Sequence, residues 1–274
     1  MKSKTNLSVV LATYNEEANL TRCLKAVKDW ADEMVVVDGS STDKTREIAK
    51  KLGARVYKTS NKPMFHINKQ LALDKARGEW ILQLDADEIV SRELRQEISK
   101  VLTSTINYQP LTINGFFIPR LNYFLGKTLR KGGQYPDYVL RLVKNGKARF
   151  PCKSVHEQIE IEGEADYLKN PLKHFTTPTV ERYWTNANRY TSFRAEEMQK
   201  VGLKITLLSF IDYILIKPFW AFFLRFFRHK GFVDGWRGFV FALFSGLDYP
   251  ISYFKLWELK KSPNSNNQQP NKFK

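Results

Sequence analysis

A short apolar run that ends in acidic residues constrains this chain more than any other segment. The run WILQLDADE, residues 80–88, reads as a buried strand that delivers Asp85 and Asp87 to its carboxyl end, with Glu88 directly after them. Three carboxylates placed together repel one another unless a cation joins them. Oxygen ligands at a strand end suit Mg²⁺ or Mn²⁺, which keep positions open for water and phosphate oxygens. The run therefore predicts a site for a metal-bound phosphate or diphosphate.

The segments before this run alternate between strands and helices. Apolar strands are expected at 9–11, 34–37, 54–58 and 80–84, with helices at about 16–27, 42–52 and 67–76. Asn15 is expected to cap the first helix. A β-α-β-α-β-α-β order implies a parallel sheet with helices on both faces, and ligands bind such sheets outside the carboxyl ends of the strands. Asp38, Asp85 and Asp87 all fall at such ends, so the sequence predicts a ligand-binding crevice there.

Three segments carry a family resemblance. LSVVLATYNEE (7–17), VVVDGSSTD (35–43) and LQLDADE (82–88) closely resemble the inverting glycosyltransferases of family 2. The later segments PDYVLRLVKNGKARF, VHEQIE and KGFVDGWRGFVFALFSGLDY resemble the branch that includes lipopolysaccharide core β-1,4-glucosyltransferases. The resemblance implies an α/β fold, the type A nucleotide-sugar-binding mixed sheet with helices on both faces. A C-terminal amphipathic helical extension is expected to follow it.

The resemblance also implies which residues hold the nucleotide. Thr13 lies in the turn that matches the segment bordering the base, and Glu16 is expected near the ribose or the base. Asp38 matches the acidic residue that accepts a hydrogen bond from the base. Asp85 matches the first aspartate of the D-x-D motif, which lies close to the ribose.

The diphosphate end of the donor is expected to bind through two residues. Asp87 matches the aspartate that ligates the divalent metal, Mg²⁺ or Mn²⁺. Such a metal stabilises the charge that develops when the sugar–phosphate bond breaks. Lys69 precedes the D-x-D strand in a predicted helix and can reach the diphosphate, although an exposed helix lysine explains it equally well.

An inverting transfer needs a general base for the acceptor hydroxyl. Residues 155–159 alternate like a strand that places Glu157 on the same face as two apolar residues, which raises the pKa of a carboxylate. Glu157 also matches an HE pair of the resembling branch. Asp137 is the alternative, and the assignment stays open because the family more often carries Glu-Asp at this position. His66, His174 and His229 are isolated in sequence and are expected to be structural.

The remaining chain predicts the domain organisation. A catalytic domain is expected over 1–175, with a nucleotide-sugar half (1–100) and an acceptor half (101–175). A hairpin is expected across Asn145-Gly146, and Thr177 is expected to cap a helix with Pro178 at its first position. A helical, membrane-surface extension is expected over 176–261, and a disordered tail over 262–274.

The C-terminal half is basic and aromatic. Of the formal net charge of +16, residues 1–100 carry only +3, and 17 of the 37 aromatic residues lie between Lys200 and Lys260. Lys217, Arg225 and Arg228 share a helical stripe and interrupt every apolar run, so a helix lying on an anionic membrane surface is expected rather than a span. The alternative is a pair of core helices. The phenylalanines beside the stripe are Phe219, Phe222, Phe223, Phe226 and Phe227.

Two cysteines without a disulfide or zinc spacing, and no signal peptide at the N-terminus, favour a cytosolic setting. The expected function is therefore transfer of a hexose from a nucleotide-sugar donor to a lipid-linked or lipopolysaccharide core acceptor. The reaction is placed on the inner face of the cell membrane. A haloacid-dehalogenase-type phosphatase and a basic nucleic-acid-binding protein are the alternatives. Nucleic acid is not expected as a partner, because the basic residues mix with contiguous phenylalanine and an acidic crevice repels phosphates.

Overall fold

The computed structural model describes residues 6–62, 64–105, 112–152 and 158–261. These residues form two compact units. The N-terminal unit falls within 1–122 and 136–175, and the C-terminal unit within 123–135 and 176–274. Segment 123–135, which the sequence analysis places in the acceptor half, thus groups with the helical unit.

The described residues form twelve strands, most of which lie in the N-terminal unit. The strands are β1 (Leu7–Thr13), β2 (Glu33–Asp38), β3 (Arg55–Lys58), β4 (Trp80–Leu84), β5 (Glu88–Val90), β6 (Ile113–Phe124), β7 (Lys127–Thr128), β8 (Asp137–Lys144), β9 (Ala148–Arg149), β10 (Glu160–Ile161), β11 (Glu164–Tyr167) and β12 (Leu172–Thr177). The main sheet has the order β3-β2-β1-β4-β8-β6-β12-β5. The helices between its strands are α1 (Glu17–Val27), α2 (Thr45–Lys51), α3 (Phe65–Asp74) and α4 (Arg92–Thr105).

The predicted parallel half of the sheet is confirmed. Strand β1 pairs in parallel with β2 and with β4, and β2 pairs in parallel with β3. Side chains alternate between the two faces, so Val9 and Leu11 join one core cluster and Val10 joins the other. A sheet buried on both faces needs the continuous apolar strands seen here. Its parallel strands all end at one edge, where Thr13, Asp38 and Leu84 lie.

Three predicted details are wrong. Asn15 does not cap α1, because its side-chain oxygen instead accepts a hydrogen bond from the Thr42 backbone N–H at 2.8 Å. The chain does turn at Asn145-Gly146, but β9 then pairs with β10 and not with β8. The first helix of the C-terminal unit, α5 (Val180–Lys200), is capped by Thr179, whose hydroxyl accepts from the Arg182 N–H, and not by Thr177.

The C-terminal unit is built around four described helical segments. They are α5 (Val180–Lys200), α6 (Leu207–Ile211), α7 (Lys217–Phe223) and α8 (Trp236–Lys261). The π-helical stretch Asp212–Ile216 joins α6 to α7, and a second one, Leu224–Arg228, continues α7, so that the whole forms one continuous helix. A small core forms where Ala195 and Met198 of α5 meet Tyr253 and Leu256 of α8.

The continuous helix Leu207–Arg228, here called the apolar helix, is longer and more apolar than the sequence analysis expected. It has 22 residues, and its mean hydropathy reaches 1.6 over an 18-residue stretch, which is enough, by length and composition alone, for it to cross a membrane. Over 207–224 the charged residues are Asp212 and Lys217, and these form an ion pair at 2.7 Å. This pair offsets the charge of Lys217, one of the three basic residues expected to interrupt the apolar run, whereas Arg225 and Arg228 lie in the last turn of the helix.

Candidate active site

The carboxyl ends of β1 and β2 bring Thr13 and Asp38 side by side. The two residues are register partners in the parallel ladder. The Asp38 carboxylate is fully buried, accepts hydrogen bonds from the Ser41 N–H and hydroxyl, and lies 3.4 Å from the Arg46 guanidinium. The Thr13 hydroxyl is buried and has no hydrogen-bond partner among the described residues. A buried orphan hydroxyl beside a fixed carboxylate is the kind of polar edge that a ligand can satisfy.

The loops that follow these strands are tied to each other. The Asn15 N–H donates to the Ser41 hydroxyl at 2.9 Å, and the Glu16 N–H donates to the Thr45 hydroxyl at 2.8 Å. Asn15 has a φ of 53°, a left-handed conformation that asparagine tolerates better than most residues. These bonds hold Glu16 at the start of α1, close in space to the loop that carries Asp38.

Asp85 follows β4 and forms ion pairs with two basic side chains. Lys69 from α3 and Arg141 from β8 each place a nitrogen 2.5 Å from one of its carboxylate oxygens. Burial alone would raise the pKa of Asp85, but the charges and hydrogen bonds of Arg141 and Lys69 outweigh it and hold that pKa well below its usual value. Asp85 is therefore a permanent anion at the physiological pH.

Arg141 also neutralises Glu88. Its guanidinium lies 2.6 Å from the Glu88 carboxylate, and Glu88 is fully buried. Burial would lower the pKa of Arg141, but Asp85 and Glu88 raise it above its ordinary value. The sequence analysis required an external cation to join three anions at this strand end. The protein supplies Arg141 and Lys69 for two of them, which leaves the third, Asp87, to be explained.

Asp87 has no ammonium or guanidinium partner among the described residues. Its carboxylate faces the Nε2 atom of His174 at 3.5 Å, and the Phe175 N–H donates to its backbone oxygen at 2.9 Å. Strand β12 provides both contacts, because it pairs with β5 directly after the D-x-D motif. Burial would lower the pKa of His174, but Asp87 and Glu88 outweigh this effect, and the pKa lies above its usual value.

Asn122 fixes the orientation of the His174 ring. Its Nδ2 atom donates to the Asp137 carboxylate at 3.2 Å, and a carboxylate can only accept. Its Oδ1 atom must therefore face His174, where it lies 2.7 Å from Nδ1. An amide oxygen only accepts, so Nδ1 carries the proton, and in the neutral ring the lone pair of Nε2 points at Asp87.

Asp137 is held firmly at the start of β8. One of its oxygens accepts from the Arg120 guanidinium at 2.7 Å and from Asn122. Arg120 and Asp137 are cross-strand partners of β6 and β8, so the pairing of these strands sets this contact. The geometry gives Asp137 an anchoring place in the hydrogen-bond network that reaches His174.

Glu157 lies outside the described residues, as do residues 155 and 156 of its predicted strand, while the remaining two, Gln158 and Ile159, are described and belong to no strand. In the described part of the chain no group of three or more His, Cys, Asp or Glu residues is arranged to hold a metal ion. The predicted donor residues Asp85 and Lys69 are in direct contact, and Thr13 and Asp38 are neighbours, whereas Asp87 turns toward β12.

Sequence reasoning missed Arg141, His174, Asn122 and Arg120. Arg141 did leave a signal, since it is a single charge inside the apolar run 139–143 of a strand. A charge in such a place must be paired. His174 left none, because nothing in the local sequence links β12 to the D-x-D strand; only the pairing of β12 with β5 does.

Comparison with known proteins adds the class of this protein. The family model for Glycosyl transferase family 2 matches residues 8–105. A glycosyltransferase of Rickettsia typhi is 30% identical over 264 residues, which cover 92% of this chain and 87% of that protein. The lipopolysaccharide core biosynthesis glycosyltransferase LpsC of Rhizobium meliloti is 27% identical over 284 residues, covering 96% of this chain and 97% of LpsC. The chain belongs to glycosyltransferase family 2.

One solved structure aligns with nearly the whole chain. S. aureus TarS 1–349 in complex with UDP-GlcNAc aligns with a TM-score of 0.48 and 16% identity, over 94% of this chain and 91% of that chain. The predicted family and type A fold are confirmed, and the protein is a glycosyltransferase. This class replaces the two alternatives, a haloacid-dehalogenase-type phosphatase and a nucleic-acid-binding protein.

The buried pairing of Arg141 generates the first prediction. Arg141→Met keeps the length of the side chain but leaves Asp85 with Lys69 alone and Glu88 nearly unpaired. Breaking a buried ion pair costs about 3–5 kcal/mol, so we expect a loss of that size in the free energy of unfolding at pH 7. Because the pKa of Asp85 is depressed, its contribution in the wild type is present above the unfolded pKa and is lost as pH falls through the folded pKa. The difference in the free energy of unfolding between the wild type and Arg141→Met should therefore narrow below about pH 4.

The measurement is urea unfolding of both proteins across this pH range. Arg149→Met is the matched control, since Arg149 pairs with Glu160 at 3.4 Å while its side chain is 76% exposed. Exposed pairs contribute little, so the control should unfold like the wild type. An Arg141→Met protein as stable as the control at pH 7 would show that the buried pairing does not stabilise the fold.

Proposed function

We propose that this glycosyltransferase is metal-dependent and inverting. It moves a hexose from a nucleotide sugar to a lipid-linked or lipopolysaccharide-type acceptor at the cytoplasmic face of the membrane. The observation that carries the metal dependence is the state of Asp87. Asp85 and Glu88 are neutralised by the protein's own cations, whereas Asp87 has only the His174 imidazole beside it among the described residues. The name of LpsC supports the class of acceptor.

The residues at this edge fit a divalent metal. Asp87 and His174 would hold it, and two protein ligands suffice for an ion whose other ligands are phosphate oxygens and water. An imidazole nitrogen in the set favours Mn²⁺ over Mg²⁺, because Mg²⁺ prefers oxygen ligands. When bound, the metal would stabilise the negative charge of the departing nucleoside diphosphate.

The neighbouring residues suit the nucleoside part of a donor. Asp85 stays ionised because of Arg141 and Lys69, so it can accept hydrogen bonds from ribose hydroxyls. The buried Thr13 hydroxyl and the Asp38 carboxylate form an edge that can pair with a base. Lys69 lies at Asp85 in the structure, and we propose that it also faces the diphosphate when the donor binds.

The acceptor hydroxyl must lose a proton as it attacks the anomeric carbon. We retain Glu157 as the proposed base. Asp137 is the weaker candidate, because one of its oxygens already accepts from Arg120 and Asn122. Asp137 instead orients Asn122, and through it His174.

The apolar helix supports a membrane location for the acceptor. Several of its large apolar side chains are exposed, and contiguous exposed apolar surface marks a site of interaction. They are Leu207, Leu208, Leu215, Ile216, Phe219, Trp220, Phe223 and Phe227. From the sequence, Phe222 and Phe226 are expected on the membrane-facing side of the helix, but both rings pack against Phe239 of α8. Lys217 is paired with Asp212, so the exposed apolar face would contact the lipid.

The second prediction tests the metal assignment. We expect Asp87→Asn and His174→Ala to abolish the metal-dependent part of nucleoside diphosphate binding, and Asn122→Leu to weaken it about 10- to 100-fold by releasing the ring. The measurement is calorimetric titration with uridine diphosphate, and with the other nucleoside diphosphates in parallel, with and without Mn²⁺. Asp166→Asn removes an exposed carboxylate from β11 and is the control.

The result also separates the two roles of the motif. Binding without Mn²⁺ should persist in Asp87→Asn, because the nucleoside contacts of Asp85 and Thr13 remain. If Mn²⁺ strengthens binding equally in the wild type and in Asp87→Asn, the metal lies elsewhere. A wild type for which Mn²⁺ changes neither binding nor donor hydrolysis would contradict metal dependence altogether.

The third prediction concerns the base. Glu157→Gln keeps the shape of the side chain but cannot accept a proton, so turnover should fall about 10²- to 10⁴-fold while donor affinity stays the same. Single-turnover transfer and calorimetric donor binding are the measurements. Should Asp137→Asn produce this pattern with an unperturbed His174 signal in NMR spectra, and Glu157→Gln not, then Asp137 is the base.

A further inference from the structure

A second part of the C-terminal unit collects positive charge. The apolar helix and α8 are joined by a turn that contains the 3₁₀ segment Gly231–Asp234. The loop after β7, residues 129–135, packs on this turn: the Gly132 N–H donates to the His229 carbonyl at 2.9 Å. Both segments belong to the same unit. We call the cationic surface that they form the basic tip, defined by Arg130, Lys131, Arg228, His229 and Lys230.

Asp234 fastens the loop to the turn. Its carboxylate accepts hydrogen bonds from the backbone N–H groups of Arg130, at 3.1 Å, and of Lys131, at 2.8 Å. Gly132 has a φ of 65° and lies against the backbone of Arg225. The only acidic side chain of the turn, Asp234, thus bonds to backbone groups and forms no ion pair with the cationic side chains of the described residues.

The side chains of the basic tip remain available. Arg130, Lys131, Arg228 and Lys230 are exposed, and none has a carboxylate within ion-pair distance in the part of the chain that is described. Four exposed cations held close together by backbone hydrogen bonds repel one another. Such an arrangement persists where an anionic partner offsets the repulsion.

Apolar side chains emerge from the same turn. Phe232, Val233 and Trp236 are 51%, 59% and 58% exposed. Aromatic side chains beside lysine and arginine are typical of protein surfaces at the headgroup level of a bilayer. A nucleic acid would also use the cations, but the exposed aliphatic side chain of Val233 favours a lipid surface over stacked bases.

We propose that the basic tip docks on a bilayer whose surface carries anionic phosphate headgroups, with Phe232, Val233 and Trp236 entering the interface. This inference rests on the membrane location in the proposed function and gives it a specific contact. The basic tip is a different contact from the predicted stripe that contains Lys217, because Lys217 is paired with Asp212. The charges also limit depth, since an arginine or lysine in the hydrocarbon core is costly. The turn therefore sits at the headgroups.

The test uses the full chain and lipid vesicles. Wild-type protein should sediment with vesicles that contain phosphatidylglycerol, and much less with phosphatidylcholine alone. Each basic residue near an anionic surface adds about fivefold in affinity, so Arg130→Gln/Lys131→Gln should weaken binding about 30-fold at low salt. The difference should vanish at high salt, which screens exposed charges.

The matched control is Lys50→Gln/Lys51→Gln, which makes the same change of charge on exposed residues of α2. It should bind like the wild type. An equal loss in the control would show that only net charge matters and would overturn the basic tip. Phe232→Ser/Val233→Ser should weaken binding at both salt concentrations, and circular dichroism checks that each variant is folded.

Two outcomes separate this inference from the proposed function. If the wild type binds the vesicles and the Arg130→Gln/Lys131→Gln variant binds equally well, the basic tip is wrong while the membrane location stands. If the wild type ignores vesicles of every composition yet hydrolyses a nucleotide sugar, the membrane contact fails and the donor chemistry stands. Loss of affinity for a single-stranded oligonucleotide in the double variant, without loss of vesicle binding, would reassign the tip to nucleic acid.

Discussion

The buried guanidinium of Arg141 is the interaction on which the site depends. It lies between Asp85 and Glu88 and is itself almost completely buried. Two carboxylates at the end of one strand cannot stay ionised next to each other in a protein interior without such a partner. With Arg141 in place, the strand end β4 can carry the D-x-D motif and still pack against the sheet, so that the loop with Asp87 is held in one conformation.

This charge balance gives the three carboxylates of the acidic cluster different environments. Asp85 and Glu88 are satisfied from within, whereas Asp87 is oriented toward His174. A relay through Asn122 and Asp137 then sets which ring nitrogen carries the proton. One network of ion pairs and hydrogen bonds thus spans the sheet from α3 to β12. A substitution of one residue in this network therefore alters the geometry of its neighbours even where the substituted residue does not itself contact a ligand.

The C-terminal unit differs, because it leaves large apolar side chains and cationic side chains exposed on its surface. Its apolar helix pairs its internal charges, Asp212 with Lys217, and exposes large apolar side chains such as Phe219. Its basic tip uses Asp234 on backbone groups, and its exposed cations form no ion pair with any carboxylate in the described part of the chain. Both choices cost stability in water, and a lipid surface would offset both.

The sequence by itself determined the parallel strands, their apolar faces and the arrival of Asp38, Asp85 and Asp87 at one edge. These follow from patterns of two to four residues, which local sterics and burial impose directly. Tertiary structure alone decided that Lys69 and Arg141 neutralise Asp85 and that His174 faces Asp87. It also decided that residues 129–135 join the turn after the apolar helix. Such contacts depend on which strands become neighbours, and strand order is set by the packing of the whole sheet, which no local pattern records.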